Sequence, residues 1–258
     1  MKFFTILIMS LCLTAWADEL KLNFDGNTTS QGKLVPAKIQ SIGAPLHYQK
    51  GIKGKAFVTQ AKPKKLVRII LKKDEFPSQG SICFWACPLD WNYLDKKFHI
   101  LFNAHFYSNE VNSSEFGKDK NAHSRILIYK YGNKNIAKSG LALPLFFYKN
   151  NKLNWALNYP GSKMTNWKAN KWHFICLVWK KVKGKPYFEY FIDAERAGII
   201  SKDYDLKGTA VLTIGASWGD KGKTLIDNFS LKDQVLNKEQ ITEIYENTLE
   251  EYYSQEDN

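Results

Sequence analysis

The chain has 258 residues, of which 44% are hydrophobic and 24% charged, so it can bury one large core and does not have the composition of a disordered segment. Its net charge of +12 favours acidic partners such as an anionic polysaccharide or an anionic surface, and the alternative is a basic surface that is only solvated. The basic residues are scattered and form no dense basic helix, so nucleic acid is not a predicted partner, and no stretch is apolar for long enough to insert stably into a membrane.

The N-terminus is predicted to be a signal peptide. A lysine is followed by an apolar stretch from Phe3 to Leu13 that is too short to span a bilayer, and Ala15-Trp16-Ala17 is an A-x-A cleavage site. We therefore expect residues 1–17 to be removed, residues 18–258 to form a single domain, and the protein to be secreted, either outside the cell or into a periplasm. A lipid anchor on Cys12 is the less favoured alternative, because a bulky leucine precedes it.

The first predicted strand is half-buried, because Leu20, Leu22 and Phe24 alternate with polar residues before the turn Asp25-Gly26-Asn27. Extended segments or strands are then predicted at 34–42, 50–57, 66–71, 80–88, 98–107, 125–131, 143–149, 152–159, 171–180, 186–193, 211–216 and 224–231.

Two of these strands have informative patterns. In 171–180 both alternating sets of side chains are largely apolar, so this strand is predicted to be covered on both faces. In 98–107 the even-numbered residues form one apolar face, and the odd-numbered residues form a polar-aromatic face that includes His105 and Tyr107.

Three cysteines remain after the predicted cleavage, an odd number that does not indicate a disulfide framework. Cys83 and Cys87 are four residues apart on one predicted strand, roughly 13 Å, so they cannot bond to each other. Either could pair with Cys176 across strands. Buried free thiols are the favoured interpretation.

One helix is predicted, near the C-terminus. Asn237 can cap it, and Gln240 stands at the position that reaches back in a capping box. Its apolar residues recur at helical spacing and should pack on the sandwich; they are Ile241, Ile244, Tyr245, Leu249 and Tyr252.

The order of these segments resembles the laminin-G-like branch of the concanavalin A-like lectin/glucanase superfamily over nearly the whole mature chain. The matching motifs are Asn23-Phe-Asp-Gly26, Gly51-x-x-Gly-Lys-Ala-Phe57, Gly80-Ser-Ile-x-Phe-Trp85 with Pro88, Lys171-Trp-His-Phe174, Tyr190-Phe-Ile-Asp193, Leu212-Thr-Ile-Gly215, Leu225-Ile-Asp-Asn228 and the helix from 236 to 245. The resemblance implies an all-β jelly-roll sandwich of two antiparallel sheets with a short C-terminal helix. It also implies a glycan or extracellular-matrix partner more often than a catalytic role.

The resemblance implies a structural calcium between the first strand and the last. Calcium takes carboxylate and carbonyl oxygens as ligands, and the candidates at the matching positions are Asp25, the Gly26 carbonyl and Asp227. The alternative is that Asp25 only shapes a turn and Asp227 only pairs with a backbone amide or a lysine.

No catalytic residue is predicted. A retaining glycoside hydrolase needs two carboxylates about 5 Å apart, and the sequence has no Glu-x-Asp-x-x-Glu arrangement, lyase pattern, Ser/His/Asp elbow, phosphate loop or zinc-ligand spacing. Sites built from separate strands leave no local motif, so a hydrolase or lyase stays open as the second hypothesis. A protein-interaction or surface-structural domain is the third.

The favoured hypothesis is a secreted, non-catalytic carbohydrate-binding domain, with an acidic polysaccharide as one candidate ligand. Aromatic rings stack on sugar faces while their polar edges stay in water. The candidate ligand-binding residues are Trp91, Trp167 and Trp218 in polar loops, Trp155 on a hairpin arm, and His105 and Tyr107. The alternative for each is local packing. The sequence fixes neither the sugar nor the oligomeric state.

Overall fold

A computed structural model of the chain describes residues 19–43, 45–108, 122–131, 140–142, 145–149, 152–156, 167–201, 204–215, 219 and 221–256. For residues 131, 140–142, 145–149, 152–156 and 256 it describes the backbone only. The predicted signal peptide and its cleavage site lie outside the described residues.

The described residues form sixteen strands and one helix. In chain order these are β1 (Glu19–Leu22), β2 (Lys38–Ile42), β3 (His47–Lys50), β4 (Lys55–Gln60), β5 (Leu66–Ile70), β6 (Gly80–Pro88), β7 (His99–Tyr107), β8 (Ser124–Tyr131), β9 (Gly140–Ala142), β10 (Leu145–Lys149), β11 (Lys152–Ala156), β12 (His173–Val182), β13 (Lys185–Ile192), β14 (Glu195–Ile200), β15 (Thr209–Ile214), β16 (Lys223–Lys232) and α1 (Lys238–Glu256).

The strands form two eight-stranded antiparallel sheets. The first has the order β14-β13-β12-β6-β16-β4-β3, with β1 also paired to β16. The second has the order β11-β10-β8-β7-β15-β5-β2, with β9 paired to β8. The predicted all-β sandwich of two antiparallel sheets with one C-terminal helix is confirmed.

The main core lies between the two sheets and is rich in aromatic rings. Phe84 of β6 contacts Phe102 of β7 and Phe229 of β16 at ring-centroid distances of 6.3 and 6.4 Å. Each large apolar side chain that is fully buried in this way contributes about 1.5–3 kcal/mol. The sandwich therefore derives most of its stability from the apolar faces that strand alternation turns inward.

The strand β12 is covered on both faces, as its sequence predicts. Ile175, Leu177 and Trp179 face the main core. Phe174 and Cys176 face the other way, into a second apolar layer.

The second apolar layer lies between the first sheet and α1. Trp85 stacks on Tyr245 of α1 with ring centroids 5.5 Å apart and planes at 12°. The predicted capping box is confirmed, because Gln240 N donates to Asn237 Oδ1 at 2.8 Å and Asn237 N donates to Gln240 Oε1 at 3.0 Å. The helix therefore begins at Lys238, directly after the cap, and its apolar residues pack on the first sheet.

The structure differs from the expectations in the register of β7 and in three strands that were not predicted, β3, β9 and β14. The register of β7 shifts between Ile100 and Phe102, so Leu101 faces the main core and Ile100 packs on the outer face. The strand β14 was not predicted because no glycine marks its hairpin with β13. The turn uses Asp193 and Ala194, whose φ angles of 51° and 60° are both positive, as a type I′ turn requires.

None of the helices in the described part of the chain combines the length and the hydropathy needed to cross a membrane.

Candidate ligand-binding face and candidate metal site

The outer face of the second sheet carries a polar band, which is the candidate ligand-binding face. The strand registers place side chains in two rows across β2, β5, β15, β7 and β8. The rows are Gln40–Arg68–Thr213–Asn103–Leu127 and Lys38–Ile70–Val211–His105–Arg125. Neither row contains an acidic residue. We call Gln40, Arg68, Asn103, His105, Tyr107, Arg125 and Thr213 the polar face.

His105 and Tyr107 lie next to each other on the polar face, as the alternation of β7 predicts. Their rings are stacked, with centroids 6.1 Å apart. Both side chains are fully buried, and Tyr107 packs in a small apolar cluster with Ile70 and Ala122. Asn103, Thr213 and Arg125 are buried as well, so Gln40 and Arg68 are the members of the polar face that reach the surface in part.

Two guanidinium groups give the polar face its positive charge. Arg125 Nε donates a hydrogen bond to Asn103 Oδ1 at 2.8 Å, and this bond orients the Arg125 side chain towards β7. Partial burial lowers the pKa of Arg68, and the nearby Tyr107 opposes that shift. Arginine nevertheless keeps its charge at physiological pH.

The expectation that Trp91 and Trp167 are exposed in loops is wrong. Trp91 is 2% exposed and Trp167 is fully buried. The two indoles stack on each other at 5.9 Å, so they pack the sandwich and present no free ring face to a sugar.

A histidine closes each end of the tryptophan pair. His99 stacks on Trp91 at 4.5 Å and His173 stacks on Trp167 at 4.4 Å, each with its plane within 6° of the indole. His99 Nε2 lies 3.0 Å from Asp95 Oδ2, and His173 Nδ1 lies 2.8 Å from Asp193 Oδ2. We call this arrangement the four-ring stack. It joins the β6–β7 connection to the segment that enters β12.

The other two tryptophan candidates remain predictions. The backbone of Trp155 pairs with Phe146 in the β10–β11 hairpin, while its side chain is not among those described. Trp218 lies outside the described residues.

The candidate metal ligands Asp25 and Asp227 lie on two sides of the turn between β3 and β4. Asp25 Oδ1 accepts a hydrogen bond from Lys55 N at 3.0 Å, and Asp227 Oδ2 accepts one from Lys53 N at 3.2 Å. A Cβ atom on Gly51 would come within 2.4 Å of Asp227 Oδ2. The glycine of the Gly51-x-x-Gly motif is therefore required by the close approach of a carboxylate.

Asp227 is an unusual carboxyl group because it is fully buried. Its pKa is raised to about 8, mainly by burial and also by the charge of nearby Asp25, although hydrogen bonds from the backbone N–H groups of Lys53 and Asn228 act in the opposite direction. At neutral pH the group therefore holds a proton in most molecules unless a cation replaces that proton.

The donor set around Asp227 is small. Among the described residues no group of three or more His, Cys, Asp or Glu side chains could hold a metal ion. Calcium bound to Asp25 and Asp227 would take its remaining ligands from backbone carbonyls and water, which is within the range of calcium coordination. Gly26 follows Asp25 in an exposed turn, with a φ angle of 88°.

A cleft of about 500 Å³ lies beside the loop between β5 and β6, and its lining includes Asp74, Asp205 and Tyr204. Asp74 Oδ1 accepts a hydrogen bond from Gly208 N at 2.6 Å, and Asp205 Oδ1 accepts one from Lys207 N at 3.0 Å. Asp205 therefore caps a local turn, whereas Asp74 links the β5–β6 loop to the residue that precedes β15.

No protein-family model and no curated protein sequence matches the chain. Solved structures do match. The binding domain of botulinum neurotoxin serotype D superposes with a TM-score of 0.60 at 13% identity, over 89% of this chain and 52% of that one. A second structure of the serotype D ligand-binding domain, in complex with N-acetylneuraminic acid, gives 0.60 at 13% identity, over 89% and 50%.

A shorter neighbour matches along almost its whole length. Domain 4 of AbnA, a GH43 extracellular arabinanase from Geobacillus stearothermophilus, in complex with arabinotriose, gives a TM-score of 0.58 at 15% identity, over 89% of this chain and 98% of that one. The chain thus spans about half the length of the neurotoxin domains and nearly all of the arabinanase domain. At these identities the similarity establishes a shared β-sandwich fold.

Proposed function

We propose that residues 18–258 form a secreted, non-catalytic carbohydrate-binding domain of the laminin-G-like type, that its ligands are acidic glycans, and that the polar face binds them. Export follows cleavage of the predicted signal peptide near Ala17.

The distribution of arginine carries this proposal. Only three of the 37 basic residues are arginines, and two of them, Arg68 and Arg125, lie on the polar face. Arginine presents a planar fork of donors that matches a carboxylate in a bidentate manner, whereas lysine acts as a point charge. Almost every other basic residue of the chain is a lysine. The two arginines lie in rows of side chains that contain no acidic residue.

The structural neighbours support a glycan as the ligand class. One neurotoxin domain is in complex with N-acetylneuraminic acid and the arabinanase domain is in complex with arabinotriose. The first of these sugars carries a carboxylate, in agreement with the arginines and the net charge of +12.

Binding to a glycan array at low and high salt tests the proposal. Arg68→Gln should weaken binding to carboxylated glycans by roughly 10- to 100-fold, because a hydrogen bond to a charged group contributes about 1.5–3 kcal/mol. Arg196→Gln is the matched control, since Arg196 lies on β14 of the other sheet and its side chain is 59% exposed. Equal affinity of the two variants would remove the polar face from consideration.

The glycan array, together with digestion of polysaccharides, also tests the enzyme hypothesis and the protein-interaction hypothesis. Release of products from polysaccharides would indicate a hydrolase or a lyase. A blank array with no product release would indicate a protein-interaction domain. Trp155→Ala and Trp218→Ala test the two tryptophan candidates that remain, and a loss of binding in either variant would add that ring to the site.

We also propose that Asp25, the Gly26 carbonyl and Asp227 contribute to a structural calcium site. The observation that supports it is the buried carboxyl of Asp227, whose ionised form needs a positive partner. Calcium added to thoroughly chelated protein should raise Tm, and Asp227→Asn should abolish that rise. An unchanged Tm in the wild type would argue against the site.

A further inference from the structure

We propose that Cys83 and Cys176 form a disulfide bond between the two central strands β6 and β12. The strand register places the two residues directly opposite each other. Their sulfur atoms lie 2.6 Å apart in a structure that carries both as free thiols. Facing positions on adjacent antiparallel strands bring the Cβ atoms to within about 4.5–5.5 Å, close to the range that a disulfide spans.

The third cysteine lies elsewhere. Cys87 belongs to a different cluster on the same sheet, where it packs against Val58 and Leu225. Its thiol lies 3.6 Å from the Pro88 carbonyl oxygen, and burial raises its pKa to about 12. Of the two pairings that the sequence leaves open for Cys176, the geometry therefore favours Cys83.

The pair occupies the apolar layer beneath α1. Cys83 is 3% exposed and Cys176 is fully buried, in a cluster that includes Leu236 and Ile241 from the end of the chain. A soluble oxidant cannot reach these sulfur atoms once the helix has packed. The bond therefore forms while the chain folds, before α1 covers the first sheet.

The bond would close a loop that contains much of the second sheet. Between β6 and β12 the chain runs through β7, β8, β9, β10 and β11, all of which belong to the second sheet. Cross-linking residues 93 positions apart removes conformational freedom from the unfolded chain. The segment that includes β7 and β8, which carry Asn103, His105 and Arg125, would then begin and end at the two bonded strands β6 and β12 of the first sheet.

The reaction is thiol–disulfide exchange with a small disulfide donor. The thiolate of one cysteine attacks the donor and displaces one donor thiol. The second cysteine then attacks the mixed disulfide and displaces the other. The two cysteines lose two electrons and two protons, and the donor is reduced to two thiols. The pairing depends on the fold and not on the proposed ligand.

Refolding in a glutathione buffer tests the pairing. The full-length chain is unfolded, reduced and refolded with oxidised and reduced glutathione. It is then unfolded again with an alkylating reagent and mapped by mass spectrometry. We expect a linked peptide pair carrying Cys83 and Cys176, and alkylated Cys12 and Cys87. Alkylated Cys83 and Cys176, or a link from Cys176 to Cys87, would overturn the proposal.

Stability measurements provide a second readout. The oxidised wild-type chain should melt roughly 10 °C above the same chain refolded with its cysteines reduced, as expected for a loop of this length. Cys87→Ala should keep the difference, whereas the double variant Cys83→Ala/Cys176→Ala should lose it. Equal melting of the oxidised and reduced wild-type chains would show that no stabilising bond forms. Glycan binding enters none of these measurements, so this proposal can fail independently of the proposed function.

Discussion

Ionisation of Asp227 should make the calcium-free protein less stable as pH rises. The pKa of this carboxyl is about 8 in the folded chain, against 3.8 for an ordinary aspartate. Because the folded state holds a proton that the unfolded state has already released, the contribution of Asp227 to stability is fully present below about pH 4 and is lost progressively up to about pH 8. At about 1.36 kcal/mol per pKa unit, the loss is on the order of 5 kcal/mol.

Urea unfolding between pH 4.5 and pH 8.5 in the presence of a chelator measures this loss. Asp227→Asn places a neutral side chain of the same shape at the site, so the stability of the wild type relative to this variant should fall by several kcal/mol across the range. Asp233→Asn, at an exposed position just beyond β16, is the control and should follow the wild type. Parallel pH profiles for the wild type and Asp227→Asn would refute the reasoning.

Calcium should reverse the effect of pH. If the ion binds the ionised carboxyl, binding must release the proton that the buried group holds, so affinity should increase as pH rises towards 8. The calcium-induced increase in Tm should therefore be larger at pH 8.5 than at pH 6. An increase that is the same at both pH values would show that the ion binds at another place.

Three further substitutions test the packing. Gly222→Ala should destabilise the chain by roughly 1–3 kcal/mol in urea unfolding, because its Cβ would come within 2.4 Å of the His99 ring. Asn237→Ala should lower the free energy of unfolding by about 1 kcal/mol, since it removes one half of the capping box. Gly54→Ala should destabilise the chain by roughly 1–3 kcal/mol and reduce any calcium-induced increase in Tm, because Gly54 has a φ angle of 62° and the new Cβ would clash with Asp25 Oδ1. An unchanged thermal melt for any of the three variants would contradict the reasoning for that variant.

The strands with strong local patterns were predictable from the sequence. The bounds of β6 agree with the prediction at both ends, and the expectation that β12 is covered on both faces is confirmed because its two alternating sets are both apolar. The hairpin turn at Asp193-Ala194 was not predictable from composition. Alanine rarely adopts positive φ, and here the pairing of β13 with β14 imposes that conformation.

The candidate sites were less accessible to sequence reasoning. Trp91 and Trp167 are separated by 75 polar and apolar residues, and only the fold stacks their rings between two histidines. The rows of the polar face combine five strands from distant parts of the chain, so no local motif contains them. Alternation correctly put His105 and Tyr107 on one side of β7, but it could not indicate that both rings are buried.

The position of β6 affects the order in which the chain can be assembled. Its two neighbours are β12, which begins 85 residues after the end of β6, and β16, the last strand of the sheet. The middle of the first sheet therefore cannot close until the ribosome has released the chain as far as β16, which ends at Lys232. Folds dominated by such distant pairings form slowly. A nascent chain that closes this sheet late stays unfolded for longer, which would suit the secretion that we propose.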